Sequence, residues 1–257
     1  RSYSVTGVQT CALPISQKEL AKSSTSYDLD QALADRLLYG SYPAVVTAQS
    51  ASEKLLILKE LTESYLFKDI LELERIRNAK ILLDLLRLIA FQIGQEVSHH
   101  ELAKTLGIDQ KTVARYIDLL EKCFILYNLR AYSKNLRSEI TTKSKYYFYD
   151  TGIRNALIAN FNALHLRNDI GGLWENFLIM ERIKKHAYEQ WFGNCYFWRT
   201  YDQAEIDYIE EYNGMLNAFE FKWSKTKAKH APKSFTDNYP DSTFTHVTNQ
   251  SYRDFIV

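Results

Sequence analysis

The order of secondary-structure patterns in residues 170–247 constrains the fold more than any other feature of this chain. A helical pattern over 170–190 comes first, and it is entered through Gly171-Gly172. Strand patterns then follow at 195–200, 205–211, 216–223 and 243–247. A lysine-rich stretch precedes the last strand, and the resulting order is α-β-β-β-α-β. This order predicts a compact domain built from a short sheet and packed helices.

Acidic residues recur at three points of this pattern. Glu175 lies in the helix, Asp207 on the second strand, and Glu220-Phe221-Lys222 on the third. Carboxylates are the oxygen ligands that Mg²⁺ prefers, and a nearby lysine can stabilise charge on a phosphate. In order and residue type, the segment resembles the PD-(D/E)xK nuclease fold. This resemblance predicts catalytic roles for four residues, Glu175, Asp207, Glu220 and Lys222. The three carboxylates among them would bind Mg²⁺.

Each of these residues also has a purely structural interpretation. An acid near the start of a helix, such as Glu175, favours the helix dipole. Strand alternation places Asp207 on the face it shares with Glu205 and Ile209. The same alternation puts Glu220 and Lys222 on one face, where a plain ion pair between them explains the pattern almost as well.

The chain before residue 97 is dominated by helical patterns. A helix within residues 16–45 is stopped by Gly40. A second helix over 52–75 starts with Ser52 as its predicted N-cap, and a third spans 78–93 with Asn78 as its cap.

Residues 97–131 have the pattern of a winged helix-turn-helix. A short helix from His99 to Leu106 ends at Gly107, and a second helix begins after Asp109; a strand pattern follows. The start of the second helix would enter the major groove of DNA through Gln110, Lys111, Thr112 and Arg115. A role in docking to other protein segments remains open beside this interpretation.

Other basic residues are candidates for phosphate contacts. The polar stretch 133–145 carries Lys134 and Arg137, together with Lys143 and Lys145, and resembles the wing of such a module or a linker. Arg199, Lys225 and Lys227 lie beside the predicted sheet. Phosphate neutralisation needs only flexible cations, but a solvated loop or face is the alternative for each group.

Composition excludes several classes of protein. A length of 257 residues allows one large domain or two small ones, and the net charge of +1 gives no global attraction to nucleic acid. No apolar run approaches the roughly 20 residues that span a bilayer, so we expect a cytoplasmic protein. The three cysteines form neither a disulfide framework nor a zinc motif. No GxxxxGK[ST] phosphate loop occurs, so this chain alone should not hydrolyse ATP.

The first fifteen residues have a separate origin in our interpretation. Residues 5–15 match the translation of a common sequencing adapter, and they make a poor signal peptide because their apolar stretch is interrupted by Gln9 and Thr10. We therefore expect the native sequence to start near Ser16 and the gene to be truncated upstream.

Six short stretches fall in the order typical of one family. They are Leu-Tyr-Gly-Ser-Tyr-Pro (38–43), Lys-Tyr-Tyr-Phe-Tyr-Asp-Thr-Gly (145–152), Gly-Gly-Leu-Trp-Glu-Asn-Phe (171–177), Tyr-Phe-Trp-Arg-Thr (196–200), Glu-Ile-Asp-Tyr-Ile (205–209) and Phe-Glu-Phe-Lys (219–222). After residue 37 the chain resembles the C-terminal half of prokaryotic AAA+ ATPases that carry the domain of unknown function 4143 (DUF4143). The resemblance implies an ATPase module upstream, then a winged helix, then a restriction-endonuclease-like domain carrying Glu175, Asp207, Glu220 and Lys222.

The sequence therefore predicts an α+β protein in four segments. Residues 1–15 are adapter, 16–45 the remnant of an ATPase lid, 46–145 a helical and winged helix-turn-helix domain, and 146–257 a nuclease-like αβββαβ domain. The predicted function is DNA association with an Mg²⁺-dependent nuclease site, and ATP would bind only through the missing module. The alternative is a non-catalytic regulatory module of an ATPase that binds DNA or docks to a protein. The expected partner is DNA, with a protein partner or a second copy of the chain as further candidates, and no membrane contact is expected.

Overall fold

The structure is a computed structural model, and it describes residues 14–20, 25–65, 79–133, 144–200, 202–224 and 230–257. The described residues form two compact units that interleave along the chain. The first unit takes its residues from the ranges up to 91, 99–126 and 148–166, and the second takes 92–98, 127–147 and 167–257. The predicted adapter segment lies outside the described residues as far as residue 13.

The first unit is helical. Its described helices are α1 (Gln17–Leu20), α2 (Ser26–Tyr39), α3 (Pro43–Thr47), α4 (Ala51–Glu60), α5 (Ala79–Phe91), α6 (His99–Leu106), α7 (Gln110–Lys122) and α8 (Thr151–Leu157). A π-helical turn, Leu61–Tyr65, follows α4, and a 3₁₀ turn, Leu164–Leu166, follows α8. The most apolar helix is α5, whose buried residues are Leu82, Leu85, Leu86, Ile89 and Ala90.

The end of α2 is fixed by a segment more than a hundred residues later in the chain. Gly40 ends α2 with a φ of 79°, as the sequence predicts. The Asp150 carboxylate accepts hydrogen bonds from the backbone N–H of Ser41 at 2.6 Å and of Ile153 at 3.1 Å. A Cβ at Gly152 would lie 2.0 Å from the carbonyl oxygen of Tyr39, so only glycine allows this approach. Residues 39–41 and 150–153 therefore contact each other within the first unit.

The predicted helix-turn-helix pair is present. Helices α6 and α7 are joined at Gly107, which has a φ of 65°. The side chain of Asp109 caps α7 by accepting from the Thr112 N–H at 2.9 Å. Buried residues of α7 include Val113 and Ile117, which were predicted to form its apolar side.

One predicted helix start is wrong. The N-cap of α4 is Ser50, which accepts from the Glu53 N–H, and Ser52 lies inside the helix. Asp150 caps α8, because its carboxylate accepts from the Ile153 N–H. The cap predicted at Asn78 and the end of the helix predicted over 52–75 lie outside the described residues.

The second unit contains a seven-stranded mixed sheet. Its strands are β1 (Glu96–Val97), β2 (Leu126–Ala131), β3 (Ser144–Phe148), β4 (Asn194–Arg199), β5 (Glu205–Tyr212), β6 (Met215–Lys222) and β7 (Thr243–Thr248). The strand order is β1-β3-β2-β4-β5-β6-β7. Strands β4, β5 and β6 pair antiparallel, whereas β2 with β4 and β6 with β7 pair parallel.

Among the described residues of this unit, three stretches form helices, namely α9 (Ile170–Glu189), α10 (Lys233–Asn238) and α11 (Tyr252–Ile256). Phe235 of α10 packs with Trp198 and Ile206 in one apolar cluster, so Trp198 is a core residue. Phe255 of α11 contacts the rings of Phe219 and Phe221 on β6. The predicted order α-β-β-β-α-β is therefore present, within a mixed α/β protein.

Candidate functional site

The predicted site residue Glu175 lies near the start of α9 and is largely buried. Its Oε1 accepts hydrogen bonds from Lys145 Nζ at 3.1 Å and from the Tyr147 hydroxyl at 2.5 Å. Gly172 brings this end of the helix close to Ile93, since a Cβ there would lie 2.8 Å from the Ile93 carbonyl oxygen. A larger residue at 172 would push Glu175 away from its partners.

Lys145 was predicted to lie in a wing or linker, either as a phosphate contact or as part of a solvated loop, and that placement is wrong. The residue lies on β3 with only 1% of its surface exposed. Its Nζ forms ion pairs with Glu205 at 2.6 Å and with Glu175 at 3.1 Å, and it lies 5.3 Å from the centre of the Phe197 ring. Burial alone would lower the pKa of Lys145, but Glu175 and Glu205 outweigh it and raise that pKa.

Asp207 lies at an irregularity of β5. Two steps along β4, from Tyr196 to Trp198, correspond to three steps along β5, from Ile209 to Ile206. One extra residue of β5 therefore lies at Asp207–Tyr208, as in a β-bulge, which re-aims a side chain. The prediction that Asp207 and Ile209 share a face by simple alternation is wrong, because Ile206 and Ile209 belong to the same apolar cluster.

The Asp207 carboxylate is bound to the backbone of β6, and its pKa is shifted by its surroundings. Its Oδ2 accepts from the Phe221 N–H at 2.7 Å. Its pKa is raised well above the ordinary range, first by burial and then by the negative charges of Glu175 and Glu220. The three carboxylates predicted to act together therefore do influence one another electrostatically.

Glu220 and Lys222 form the ion pair that the alternation on β6 allows. Lys222 Nζ lies 2.7 Å from Glu220 Oε1. Burial lowers the pKa of Lys222, but the hydrogen bond to Glu220 and the negative charges around it together outweigh burial, so the net pKa is raised. Lys222 also experiences the charges of Asp207 and Glu175, which places it electrostatically within the same group.

We name Glu175, Glu205, Asp207 and Glu220, with Lys145 and Lys222, the carboxylate cluster. Its four carboxylates outnumber its two ammonium groups, and oxygen ligands of this kind suit Mg²⁺. Within the described ranges, however, no three His, Cys, Asp or Glu side chains are spaced to hold a metal ion. The cluster thus fits a divalent cation in ligand type and charge, and its side chains would have to rearrange to bind one.

Two residues of this cluster, Lys145 and Glu205, were not predicted to belong to the metal site. Tyr147, beside the cluster, was also missed. Lys145 precedes the buried strand pattern Tyr146-Tyr-Phe-Tyr, and a charged residue next to such a run could have been recognised as a buried partner for acids. Tyr147 is fully buried, and burial raises its pKa, with Glu175 adding to the effect.

The predicted nucleic-acid contacts separate into three groups. On α7, Gln110, Lys111 and Arg115 are exposed, while Thr112 is half-buried and donates its hydroxyl to Asp109 at 2.6 Å. Arg199 is exposed at the end of β4, with Nη1 3.6 Å from Glu96. The remaining predicted contacts, Lys134, Arg137, Lys225 and Lys227, lie outside the described residues. Among the described helices, none is long and apolar enough to cross a membrane.

Comparison with curated proteins gives relatives without an assigned function. The chain is 28% identical over 205 residues to an uncharacterized protein of Mycobacterium tuberculosis and, equally, to one of Mycobacterium bovis; each match covers 79% of this chain and 46% of the relative. An uncharacterized protein of Haemophilus influenzae is 26% identical over 206 residues, which cover 76% of this chain and 48% of the relative. The chain thus spans about half the length of the curated relatives that it matches. No solved structure gives a significant match.

Two family models match successive parts of the chain. Residues 170–255 match the domain of unknown function DUF4143, which confirms that part of the resemblance seen in the sequence. Residues 30–164, just over half of the chain, match a second domain of unknown function, DUF8612. The chain therefore belongs to the DUF8612 family, and its C-terminal third matches DUF4143.

Proposed function

We propose that the second unit is a nuclease that cleaves DNA with a divalent cation such as Mg²⁺. The observation that carries this proposal is the arrangement of the carboxylate cluster: Glu175 and Glu205 share the ammonium group of Lys145, and Asp207 accepts from the backbone N–H between Glu220 and Lys222. Burial and the negative charges of Glu175 and Glu220 raise the pKa of Asp207. Side chains that repel one another in this way are unfavourable for folding, and such groups concentrate at functional sites. A divalent cation would relieve the repulsion.

The residues of the carboxylate cluster would have two different roles in cleavage. Glu175, Asp207 and Glu220 would hold the ion, and Lys222, beside Glu220, would stabilise negative charge on the phosphate. A bound divalent cation polarises a phosphoryl oxygen and lowers the pKa of a coordinated water. The α-β-β-β-α-β order and the bulge at Asp207 support this assignment, because bulges are common beside active sites.

DNA association is the second part of the proposal. The exposed residues Gln110, Lys111 and Arg115 at the start of α7 would contact DNA as the recognition helix of a winged helix-turn-helix. Their position after an Asp109-capped turn supports this role. Arg199, exposed in the second unit, is a candidate phosphate contact there.

We further propose that the chain is the C-terminal part of an AAA+ ATPase-family protein. The curated relatives are about twice as long as the matched region, which leaves room for another module in proteins of this kind. ATP would bind in that module, and the intact protein would act in the cytoplasm, as an oligomer or with a protein partner.

A non-catalytic docking module is the second candidate. The observation in its favour is that the carboxylates already have protein partners: Glu175 bonds Lys145 and Tyr147, and Glu220 pairs with Lys222. These internal contacts already offset part of the negative charge of the cluster without a cation. The same fold would then serve only to bind DNA or another protein.

Cleavage of DNA distinguishes the two candidates. Linear, branched and single-stranded DNA would be incubated with the full chain and Mg²⁺ or Mn²⁺, and the products separated on denaturing gels. Asp207→Asn should abolish cleavage, whereas Glu211→Gln, a matched change on the same strand outside the cluster, should leave it intact. Salt-sensitive DNA binding without cleavage by any protein would favour the docking module.

A further inference from the structure

A cavity of about 470 Å³ opens in the second unit, and His186 and Ala187 at the end of α9 line it. The carboxylate cluster lies at the other end of the same helix, where Glu175 is near its start. At a rise of about 1.5 Å per residue, Glu175 and Ala187 are about 18 Å apart along the helix. The cavity is therefore separate from the carboxylate cluster, and its volume is typical of a small-ligand site.

The cavity lies where the parallel strands β2 and β4 separate. Their pairing covers Arg130 with Tyr196, followed by the next residue of each strand. Asn128 and Asn194 come before this paired region, and in the described sheet they line the cavity and do not pair with each other. The gap is thus a consequence of the strand pairing.

One side of the cavity is an aromatic wall, which consists of His186, Trp191 and Tyr196. The rings of His186 and Trp191 stack with their centres 4.0 Å apart, and Nε2 of His186 lies 3.0 Å from Oε1 of Glu210. A Cβ at Gly193 would lie 2.1 Å from the Trp191 ring, so glycine allows the indole to lie against the start of β4. These contacts fix the wall in the ligand-free protein, and a preformed aromatic surface favours a planar ring.

The charge of the lining favours an anion. No Asp or Glu is among the described residues that line the cavity. Arg130 lines it and is exposed, and it forms no ion pair with the part of the chain that the structure describes. A guanidinium group can donate two parallel hydrogen bonds to a phosphate. The lining therefore suits a planar ring that is linked to an anionic group.

We propose that this cavity is a nucleotide-binding site, in which a nucleobase lies against the aromatic wall and its phosphate binds Arg130. The side-chain amides of Asn128 and Asn194 would donate and accept hydrogen bonds at the edge of the base. A free nucleotide and one unit of a DNA strand present the same ring and phosphate, and binding experiments distinguish them. The inference does not depend on the nuclease proposal, because none of the lining residues belongs to the carboxylate cluster.

Cys195 also lines the cavity, so its labelling reports occupancy in the wild-type protein. Methyl methanethiosulfonate is applied to the full chain in EDTA, and labelling is followed by mass spectrometry. Saturating adenosine monophosphate should slow the labelling of Cys195 several-fold, whereas Cys123 in the first unit should be unaffected. Adenosine and inorganic phosphate each lack half of the ligand, so equal protection should need at least about tenfold higher concentrations. Equal potency of adenosine and adenosine monophosphate would overturn the proposal.

Variants at exposed positions test the two parts of the site by isothermal titration calorimetry. Arg130→Gln should weaken the binding of adenosine monophosphate about tenfold, because it removes a charged hydrogen bond. Lys233→Gln is the matched control, since it removes a positive charge from an exposed position outside the cavity and should change little. Ala187→Phe, which adds a ring inside the cavity from an exposed helix position, should abolish binding. Unchanged affinity in Arg130→Gln would contradict the assignment.

A single-stranded oligonucleotide of twelve deoxyadenosines identifies the source of the nucleotide. Protection of Cys195 by the oligonucleotide alone would assign the site to a DNA strand, and protection by adenosine monophosphate alone would assign it to a free nucleotide. Protection by neither would overturn the proposal.

The nuclease proposal is tested separately in the same proteins. Asp207→Asn should abolish cleavage and leave the protection of Cys195 unchanged; loss of protection in a folded Asp207→Asn protein would contradict a separate site. Cleavage by a wild type whose Cys195 no nucleotide protects would support the nuclease and overturn this inference.

Discussion

The hydrogen bonds of the Asp150 carboxylate give a stability prediction that can be worked out from individual contacts. In the first unit, the Asp150 carboxylate accepts from the Ser41 N–H, 109 residues earlier in the chain, and it also caps α8 through the Ile153 N–H. Asp150→Ala removes both bonds at once. It also leaves the Ser41 N–H without this partner in a buried place.

The two contributions have known magnitudes. Loss of an N-cap costs about 1 kcal/mol. Loss of a buried hydrogen bond to a charged acceptor costs about 1.5–3 kcal/mol. We therefore expect Asp150→Ala to lower the free energy of unfolding by about 3 kcal/mol, a large share of the stability of a typical domain.

Equilibrium unfolding in urea, followed by far-ultraviolet circular dichroism, measures this loss. Asp109→Ala is the matched control, because Asp109 also caps a helix through its carboxylate but lies exposed. It should cost only about 1 kcal/mol. Equal losses in the two variants would refute the reasoning, since they would mean that the bond to Ser41 adds nothing beyond a cap.

Three further predictions concern single positions. Gly152→Ala should prevent folding of the first unit, because its Cβ would lie 2.0 Å from the Tyr39 carbonyl oxygen. Gly171→Ala, whose Cβ would meet no atom within contact distance, should leave the stability unchanged or raise it by up to about 1 kcal/mol. Thermal unfolding of the two variants compares these effects. Burial raises the pKa of the Cys195 thiol to about 12, so iodoacetamide should label it slowly at pH 8 in the native protein and rapidly in urea, as read by mass spectrometry. The raised pKa of Asp207, caused by burial and by neighbouring carboxylates, makes the folded state lose stability as pH rises above about 4. Without added cation, Asp207→Asn should therefore raise the unfolding midpoint at pH 7 and lose that advantage near pH 3; an unchanged midpoint at pH 7 would contradict this account.

Much of the fold could be predicted because the signals are local. Gly40 and Gly107 end helices at positive φ, and Asp109 caps one, and these residue types are helix-end signals that the sequence shows directly. The three antiparallel strands and their Asn213-Gly214 turn are likewise visible in the sequence. The Ser50 cap was missed because Ser50 and Ser52 are equivalent candidates by residue type, and only the helix start distinguishes them.

The site was predicted only in part because its remaining features depend on distant contacts. The acids Glu175, Asp207 and Glu220 could be identified from residue type and strand position. The bulge at Asp207 depends on the pairing of β5 with β4, which alternation within one strand cannot reveal. The burial of Lys145 depends on Glu175 and Glu205, which lie at least 30 residues away in the chain.

Crystals of the full chain grown with Mn²⁺ would test the central claim most directly, through anomalous diffraction at the manganese edge. The account predicts one peak at the carboxylate cluster, with oxygens of Glu175, Asp207 and Glu220 about 2.0–2.6 Å from the ion. A carboxylate cluster without a peak at saturating Mn²⁺ would contradict it.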